Sequence, residues 1–472
     1  MFVAVQRLPE RTEMARVALV NLASLPMPGN EPIFPIGLRC VQDALDLSGH
    51  QTRLIDFVED PGAVDDLAWA TESWDVIGFT IRNIDPIDIS CDGHVEHYIR
   101  FVDRVRAALE EAGGRRPLLV GGGPGYTLFA DQLRALLGFD VGVIGPGEQA
   151  MLDILAAPED HRGLGKNITG RRYEGFLTEV LRHPKSLMEV YTRFEGAMIG
   201  VETRRKTCYQ GCVYCPYAYL NGDNSGDLKP LDLIASELRA IHAAGIRRVF
   251  FTDGIFNSEL RYAKEVVKLI AELALPGLTW SAYFTPKPFD DEFAALLAGS
   301  GVEFVVISPD SLDNRVMKLL GKTFDTRHVD RCLERCRKHG IPARVNVVFG
   351  GPGDNEESVR NSIQYINSML EDGELVMHVG YRVLPQTGMA RQLGMADEDL
   401  LAPTFYPFHS DTFSWIIRDL EKRFMPSSVL FNFMAARSSS KRMAKVPLPA
   451  DSREPAPTEF PYLALSRELP LA

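Results

Sequence analysis

A chain of 472 residues has room for two or three domains with buried cores, and 45% hydrophobic against 24% charged residues is an ordinary globular balance. The formal charge of −12 argues against a large nucleic-acid footprint, which needs a concentrated basic surface. The N-terminal stretch MFVAVQRLPERTEMAR has scattered charges and no apolar core, so it does not read as a secretory signal, and no later window reads as a membrane span.

Residues 16–157 alternate short apolar runs with helical patterns. The runs are Val17–Asn21, Thr52–Phe57, Val76–Thr80, Pro117–Val120 and Asp140–Ile144, and the helical patterns include Gly37–Ser48, Tyr98–Glu111 and Phe129–Leu137. That rhythm predicts a doubly wound, Rossmann-like parallel sheet, which binds ligands at the carboxyl ends of its strands. Glycine-rich segments fall at two such ends: Gly121-Gly122-Gly123-Pro124-Gly125 and Gly145-Pro146-Gly147-Glu148. Residues 158–195 read as a polar, mostly helical connector.

A second series follows, with candidate strands Ala197–Thr203, Arg248–Asp253, Thr279–Phe284, Glu303–Ser308, Ala343–Gly350 and Val376–Leu384. The intervening helices include Leu231–Ala244, Tyr262–Leu273, Asp291–Ser300, Asn314–Leu320 and Thr326–His339. Six repeats predict an open (β/α)6 partial TIM barrel whose working residues lie at the strand ends. The expected division is therefore 1–157, connector 158–195, barrel 196–395 and a C-terminal region 396–472. That last region is irregular in pattern, and its aromatic stretch Phe405–Trp415 could cover a site or simply pack on the barrel.

The chain has seven cysteines, three of them crowded into Cys208-Tyr-Gln-Gly-Cys212-Val-Tyr-Cys215 after a predicted strand and before a helix. An odd number with this crowding points to a reducing, cytoplasmic setting with metal-bound or free thiols rather than a disulfide framework. Three thiolates on a tight loop suit an iron–sulfur cluster and leave one iron open. Structural zinc would want a fourth ligand nearby, and the nearest histidines, His183 and His242, are distant in sequence. Cys332 and Cys336, four apart on a predicted helix, and Cys40 read as packing; Cys91 lies near a possible ligand loop.

This cysteine motif, with Tyr214 before its third member, resembles the signature of the radical S-adenosylmethionine superfamily, and the likeness runs over residues 197–390. The resemblance implies a [4Fe–4S] cluster on Cys208, Cys212 and Cys215 whose open iron chelates S-adenosylmethionine. It also implies contacts to that molecule from Tyr214, Asp253, Gly254, Ser308, Asp310, Lys322 and Arg344. Phe251-Thr252-Asp253-Gly254 stands where relatives carry a Gly-Gly-Glu-like element, so the departure falls on Asp253. Ser308-Pro309-Asp310-Ser311, Gly350-Gly351-Pro352-Gly353-Asp354 and Pro385-Gln386-Thr387 resemble the family's later strand-end elements in their usual order.

The doubly wound domain ahead of the cysteines resembles the cobalamin-dependent branch of the superfamily. Its marks are Pro35-Ile36-Gly37 and the two glycine segments. The resemblance implies cobalamin contacts from Arg82, Asn83, Gly121, Gly122, Gly123, Gly145, Gly147 and Glu148. Arg82 would approach the lower face of the corrin, or else pair with Asp85 or Asp88. Asp92-Gly93-His94-Val95-Glu96-His97 resembles the Asp-x-His-x-x-Gly ligand motif only superficially and follows the wrong strand, so no histidine is expected below cobalt.

The implied activity is transfer of a methyl group from S-adenosylmethionine, via methylcobalamin, to an unreactive carbon of a small molecule, with a flavodoxin- or ferredoxin-type electron donor. The run Ile81-Arg82-Asn83-Ile84-Asp85 and the cysteine loop are similar to the tryptophan C2-methyltransferase group of natural-product biosynthesis, which implies an aromatic carbon. The alternatives are a radical rearrangement, cyclisation or ring contraction using the same cofactors, and a metal-stabilised binding protein without catalysis. A tRNA methylthiotransferase would need a second cysteine set and a basic RNA module, and the sequence has neither.

Overall fold

The computed structural model describes residues 14–28, 30, 32–85, 93–170, 183–194, 198–205, 208–221, 227–371, 373–404 and 430–432. The first sheet has strands β1 (Arg16–Asn21), β2 (Gln51–Asp56), β3 (Val76–Thr80), β4 (Leu118–Gly122), β5 (Val141–Ile144) and β6 (Lys166–Thr169). All neighbours are parallel, in the order β2-β1-β3-β4-β5-β6. The apolar runs that signal β1, β3 and β4 are buried because helices cover both sheet faces. The order reverses between β1 and β3, and a crevice opens there at the carboxyl ends.

β6 corrects the reading of 158–195 as a helical connector. Lys-Asn-Ile-Thr is an edge strand with no fully buried residue, so it lacks the apolar run that marks the inner strands. Within that connector only the helix Lys185–Tyr191 is present among the described residues beyond β6 and a short turn at Pro158–His161.

The second parallel sheet contains β7 (Ile199–Val201), then, beyond an antiparallel ladder of β8 (Arg204–Arg205) with β9 (Asp227–Leu228), β10 (Arg248–Phe251), β11 (Thr279–Phe284), β12 (Val302–Asp310), β13 (Ala343–Phe349), β14 (Leu375–Val379) and β15 (Leu430–Asn432). The order runs β15-β14-β13-β12-β11-β10-β7. The six expected strands are present, and β15 adds a seventh from the region read as irregular. Three residues give too short a pattern to detect by periodicity.

Aromatic packing fills the barrel wall: Trp280 meets Phe251 and Phe256 at ring separations of 5.2 Å, and its indole N–H donates to Ser300 O at 2.9 Å. Cys332 and Cys336 are buried in this core, as expected of packing residues. The domains do not merely touch. Val316, Leu320, Tyr381, Val383 and Met389 from the barrel side share one apolar cluster with Phe79, Tyr98 and Phe129 of the first domain. Arg382 Nε reaches Asp85 Oδ2 at 2.9 Å across the same seam, and Tyr191 Oη donates to Asp56 Oδ2 at 2.8 Å.

Candidate active site between the two sheets

The carboxyl ends of the first sheet and of the barrel enclose a cavity of about 460 Å³. From the first domain, Arg82, Gly121, Gly122, Gly123, Gly145, Gly147 and Glu148 line it; Asn83 does not. From the barrel side come Glu202, Arg205, Tyr217 and Thr252, none of which the sequence reading assigned a role. Their signal was present in Glu202 and Arg205, two charges at a predicted strand end, but the adjacent cysteines overshadowed it.

Glycine at 123 is required by geometry. It adopts φ +102°, and a Cβ there would lie 2.6 Å from the Ile81 carbonyl. The β4 end thereby lies against the segment that carries Arg82. Arg82 is exposed into the cavity while protein surrounds most of it, and this desolvation lowers its guanidinium pKa. Its hydrogen bond is to Asn83 Oδ1, at 3.2 Å. The expected ion-pair alternative is not seen with Asp85, which pairs with Arg382 instead; Asp88 lies outside the described residues.

Glu148 and Arg205 join the two walls. Arg205 Nη2 stands 3.0 Å from Glu148 Oε1 of the first domain, and its Nε stands 3.1 Å from Glu202 Oε2. Burial raises the Glu202 pKa, and the two carboxylates hold Arg205 firmly protonated. Cys40 also lines the cavity, and burial pushes its thiol above the usual range. No histidine among the described residues lines the space. His94 is buried at the start of the helix His94–Ala112, whereas Cys91 and Asp92 lie outside the described residues.

The cysteine loop, between the strands of the β8–β9 ladder, runs into Tyr217 and Leu220, which line this cavity. Val213 N donates to Leu320 O at 3.1 Å, Met389 N to Val213 O at 2.7 Å, and Thr323 Oγ1 to Gln210 Oε1 at 3.0 Å. Gly321, at φ +83°, makes the close approach possible, because a Cβ there would meet Gly211 O at 2.1 Å. Cys208, Cys212 and Cys215 are half-buried, and the three thiols lie within one another's electrostatic reach. Burial raises the Cys208 pKa and pushes Cys215 up to about 11, so iron must displace their protons.

Among the described residues no group of three His, Cys, Asp or Glu side chains is set to hold a single metal ion. A cubane spreads its thiolates over separate irons, so three soft donors on a wrapped loop fit the cluster.

The residues expected around S-adenosylmethionine divide. Ser308 faces the barrel interior, where its hydroxyl accepts from Asn346 Nδ2 at 3.0 Å; Arg344 lies over the Phe304 ring at 4.1 Å. Gly254 packs against Tyr217. Asp253 is fully buried and turned toward its own chain: its carboxylate accepts from Thr203 Oγ1 at 2.6 Å and from Arg204 N at 3.1 Å. Burial pushes its pKa up to about 6. Tyr214, Asp310 and Lys322 form a closed group beside Cys212. The aromatic stretch Phe405–Trp415 lies outside the described residues.

Residues 206–366 match the radical SAM superfamily, and residues 30–155 match the B12 binding domain. The chain is 25% identical over 461 residues to the tryptophan 2-C-methyltransferase of Streptomyces laurentii, covering 80% of this chain and 74% of the relative. Its fold is similar to that of the methyltransferase TsrM from Kitasatospora setae, solved with cobalamin and a [4Fe–4S] cluster. The TM-score is 0.68 at 22% identity, over 81% of this chain and 78% of that one. The cobalamin-dependent radical enzyme OxsB also shares the fold, with a TM-score of 0.61 at 15% identity, over 94% of this chain and 63% of that one. A B12-binding region and a radical SAM region meeting strand end to strand end make this protein a cobalamin-dependent radical S-adenosylmethionine enzyme.

Proposed function

We propose that the protein moves a methyl group from S-adenosylmethionine, by way of cobalamin, to an unreactive aromatic carbon of a small molecule in natural-product biosynthesis. The carrying observation is the cavity itself: strand ends of both domains border one space, and Tyr217 and Leu220, just after the cysteine loop, line it. When bound there, cobalamin supplies a methyl carrier, and cluster-held S-adenosylmethionine supplies the methyl group and, on reduction, a carbon radical.

This chain's residues bind and exclude. Gly121, Gly122, Gly123, Gly145 and Gly147 offer a wall without side chains to a broad planar ring system. Arg82, exposed into the cavity, places a fixed positive charge at that ring system, which favours the less positive state of the metal. Asn83 hydrogen-bonds Arg82 and holds it in place. Gly254, Ser308 and Arg344 are the proposed contacts to S-adenosylmethionine on the barrel side. The shared apolar seam closes the space on one side, and enclosure of this kind protects reactive species from side reactions. A flavodoxin- or ferredoxin-type donor in a reducing, cytoplasmic setting completes the reading; no helix among the described residues is long and apolar enough to cross a membrane.

The test is incubation with methyl-labelled S-adenosylmethionine, cobalamin, a reductant and tryptophan or simple indoles. Label in product with S-adenosylhomocysteine formed is expected. Unlabelled product accompanied by 5′-deoxyadenosine would establish rearrangement instead, and 5′-deoxyadenosine matching labelled product would point to hydrogen abstraction.

A further inference from the structure

Lys322 is a buried cation placed at the cysteine loop. Its ammonium stands 2.5 Å from Asp310 Oδ2 and 3.0 Å from Tyr214 Oη, and lies 5.4 Å from the centre of the Tyr214 ring. It also lies within electrostatic reach of the Cys212 thiol. The Lys322 side chain is 4% exposed and that of Asp310 5%, so water screens this group little. Tyr214 Oη donates to the same Asp310 oxygen, and its ring packs on Tyr381 at 4.8 Å.

The backbone is arranged for this contact. Asp310 adopts φ +62°, a conformation uncommon outside glycine, and the β12–β13 register breaks between Ile307 and Asp310. Strain of this kind persists only where the surroundings hold it, and it gathers at functional sites. Here the departure from the ladder turns the carboxylate onto Lys322 rather than onto open space. Gly321 and Leu320, the residues just before Lys322, carry the backbone contacts to Gly211 and Val213. The lysine is thus fixed to the loop from its own main chain as well as from its tip.

We propose that Lys322 tunes the reduction potential of the cluster through its buried charge beside the cysteine loop, with Asp310 as the counter-charge that limits the effect. This rests on the assignment of the cluster to Cys208, Cys212 and Cys215. Reduction adds one electron, from an external low-potential one-electron donor, to a thiolate-bound cluster and makes it more negative. No bond of Lys322 changes. A neighbouring cation and hydrogen bonds to the sulfurs stabilise the reduced form and raise the potential, while a neighbouring anion lowers it. Lys322 and Asp310 are positioning residues in this sense; neither needs to touch substrate.

The test is anaerobic potentiometric titration of the full-length protein, read by electron paramagnetic resonance of the reduced cluster, with iron content and visible absorbance as controls. Lys322→Met is expected to make reduction harder by about tenfold in the equilibrium constant, which is about 59 mV for a one-electron couple. Lys322→Arg keeps the charge and should stay within about threefold of wild type. Asp310→Asn, which tolerates the left-handed backbone, should shift the potential in the opposite direction. A purely structural clamp would not produce shifts of opposite sign from two partners of one ion pair. Shifts below about threefold in both variants at full iron content, or shifts of the same sign, overturn the proposal. If Lys322→Met loads no iron, Asp310→Asn decides alone, and an unchanged or lowered potential overturns it. A wild-type protein that holds no cluster would fail the underlying assignment instead, and the iron control distinguishes that result.

Discussion

On the first-domain side the strand ends present glycines to the cavity among apolar side chains, and the positions that matter are glycines whose neighbours approach to within 3 Å of where a Cβ would be, as at Gly121 and Gly123. On the barrel side the cysteine loop is held by side-chain charge, with Arg205 between Glu148 and Glu202 at one end and Lys322 on Asp310 further along. A bare wall accepts a large rigid ligand and is ruined by added bulk. A charged clamp fixes a few atoms and is ruined by subtraction. The two sides should therefore fail under opposite kinds of substitution.

Subtraction at the loop has the largest expected effect. Replacing Cys208, Cys212 and Cys215 together by alanine should remove essentially all cluster iron, while replacing Cys332 and Cys336 should leave iron at wild-type stoichiometry. Iron analysis after anaerobic reconstitution decides it, and full iron in the triple variant would sink the assignment. Next is Arg205→Met, which strands two carboxylates that are largely out of water. Removing one partner of a buried pair costs about 3–5 kcal/mol. The thermal midpoint should fall sharply, and adding Glu148→Gln and Glu202→Gln should recover much of the loss. No recovery would mean that Arg205 acts by packing alone.

Addition on the bare wall comes third. Gly123→Val forces a β-branched residue to φ +102° with its Cβ 2.6 Å from the Ile81 carbonyl. A strained backbone position costs about 1–3 kcal/mol. Cobalamin retention should drop well beyond what that destabilisation explains, because the displaced segment carries Arg82. The cluster iron should be unaffected. Equal loss of both cofactors would erase the distinction between the two walls.

Much of this was legible in the sequence because the strands are apolar runs with punctuation. Val76–Thr80 and Thr279–Phe284 were read with their observed bounds, and the glycine segments fell at strand ends as expected. The exceptions share a cause. Lys166–Thr169 and Leu430–Asn432 are edge strands of four and three residues, and such strands need no apolar pattern to pair. The site was only half legible. Cysteine spacing carries its chemistry in the sequence, and glycine marks a close approach. Glu202 and Arg205 become meaningful only when Glu148, far away in sequence, is brought to 3.0 Å. Asp253 runs the other way: its position after a strand suggests a ligand contact, and the structure shows its carboxylate held by Thr203 and Arg204.

The smallest effect concerns the seam behind the bare wall. His183 is buried, its ring lies edge-on to Phe34 at 4.7 Å, and Phe34 lines the cavity. Neither ring nitrogen has a hydrogen-bond partner among the described residues. Burial lowers its pKa from 6.5 to about 3, with Arg39 and Lys229 adding to the fall. The folded protein therefore keeps this imidazole neutral, while the unfolded chain protonates it below its ordinary pKa. Between those two values the unfolded state binds more protons, so the His183 contribution is whole above pH 6.5 and declines toward pH 3. The slope is at most about 1.4 kcal/mol per pH unit. His183→Leu, which cannot charge, should lose less stability than wild type when denaturation is compared at about pH 7.5 and about pH 5.5. Other histidines whose pKa burial lowers, among them His94 and His378, shift in the same direction, so the difference between the two proteins is the informative quantity. Parallel curves would show that water or a proton reaches His183 in the folded state, and that the wall behind Phe34 is more open than its packing indicates.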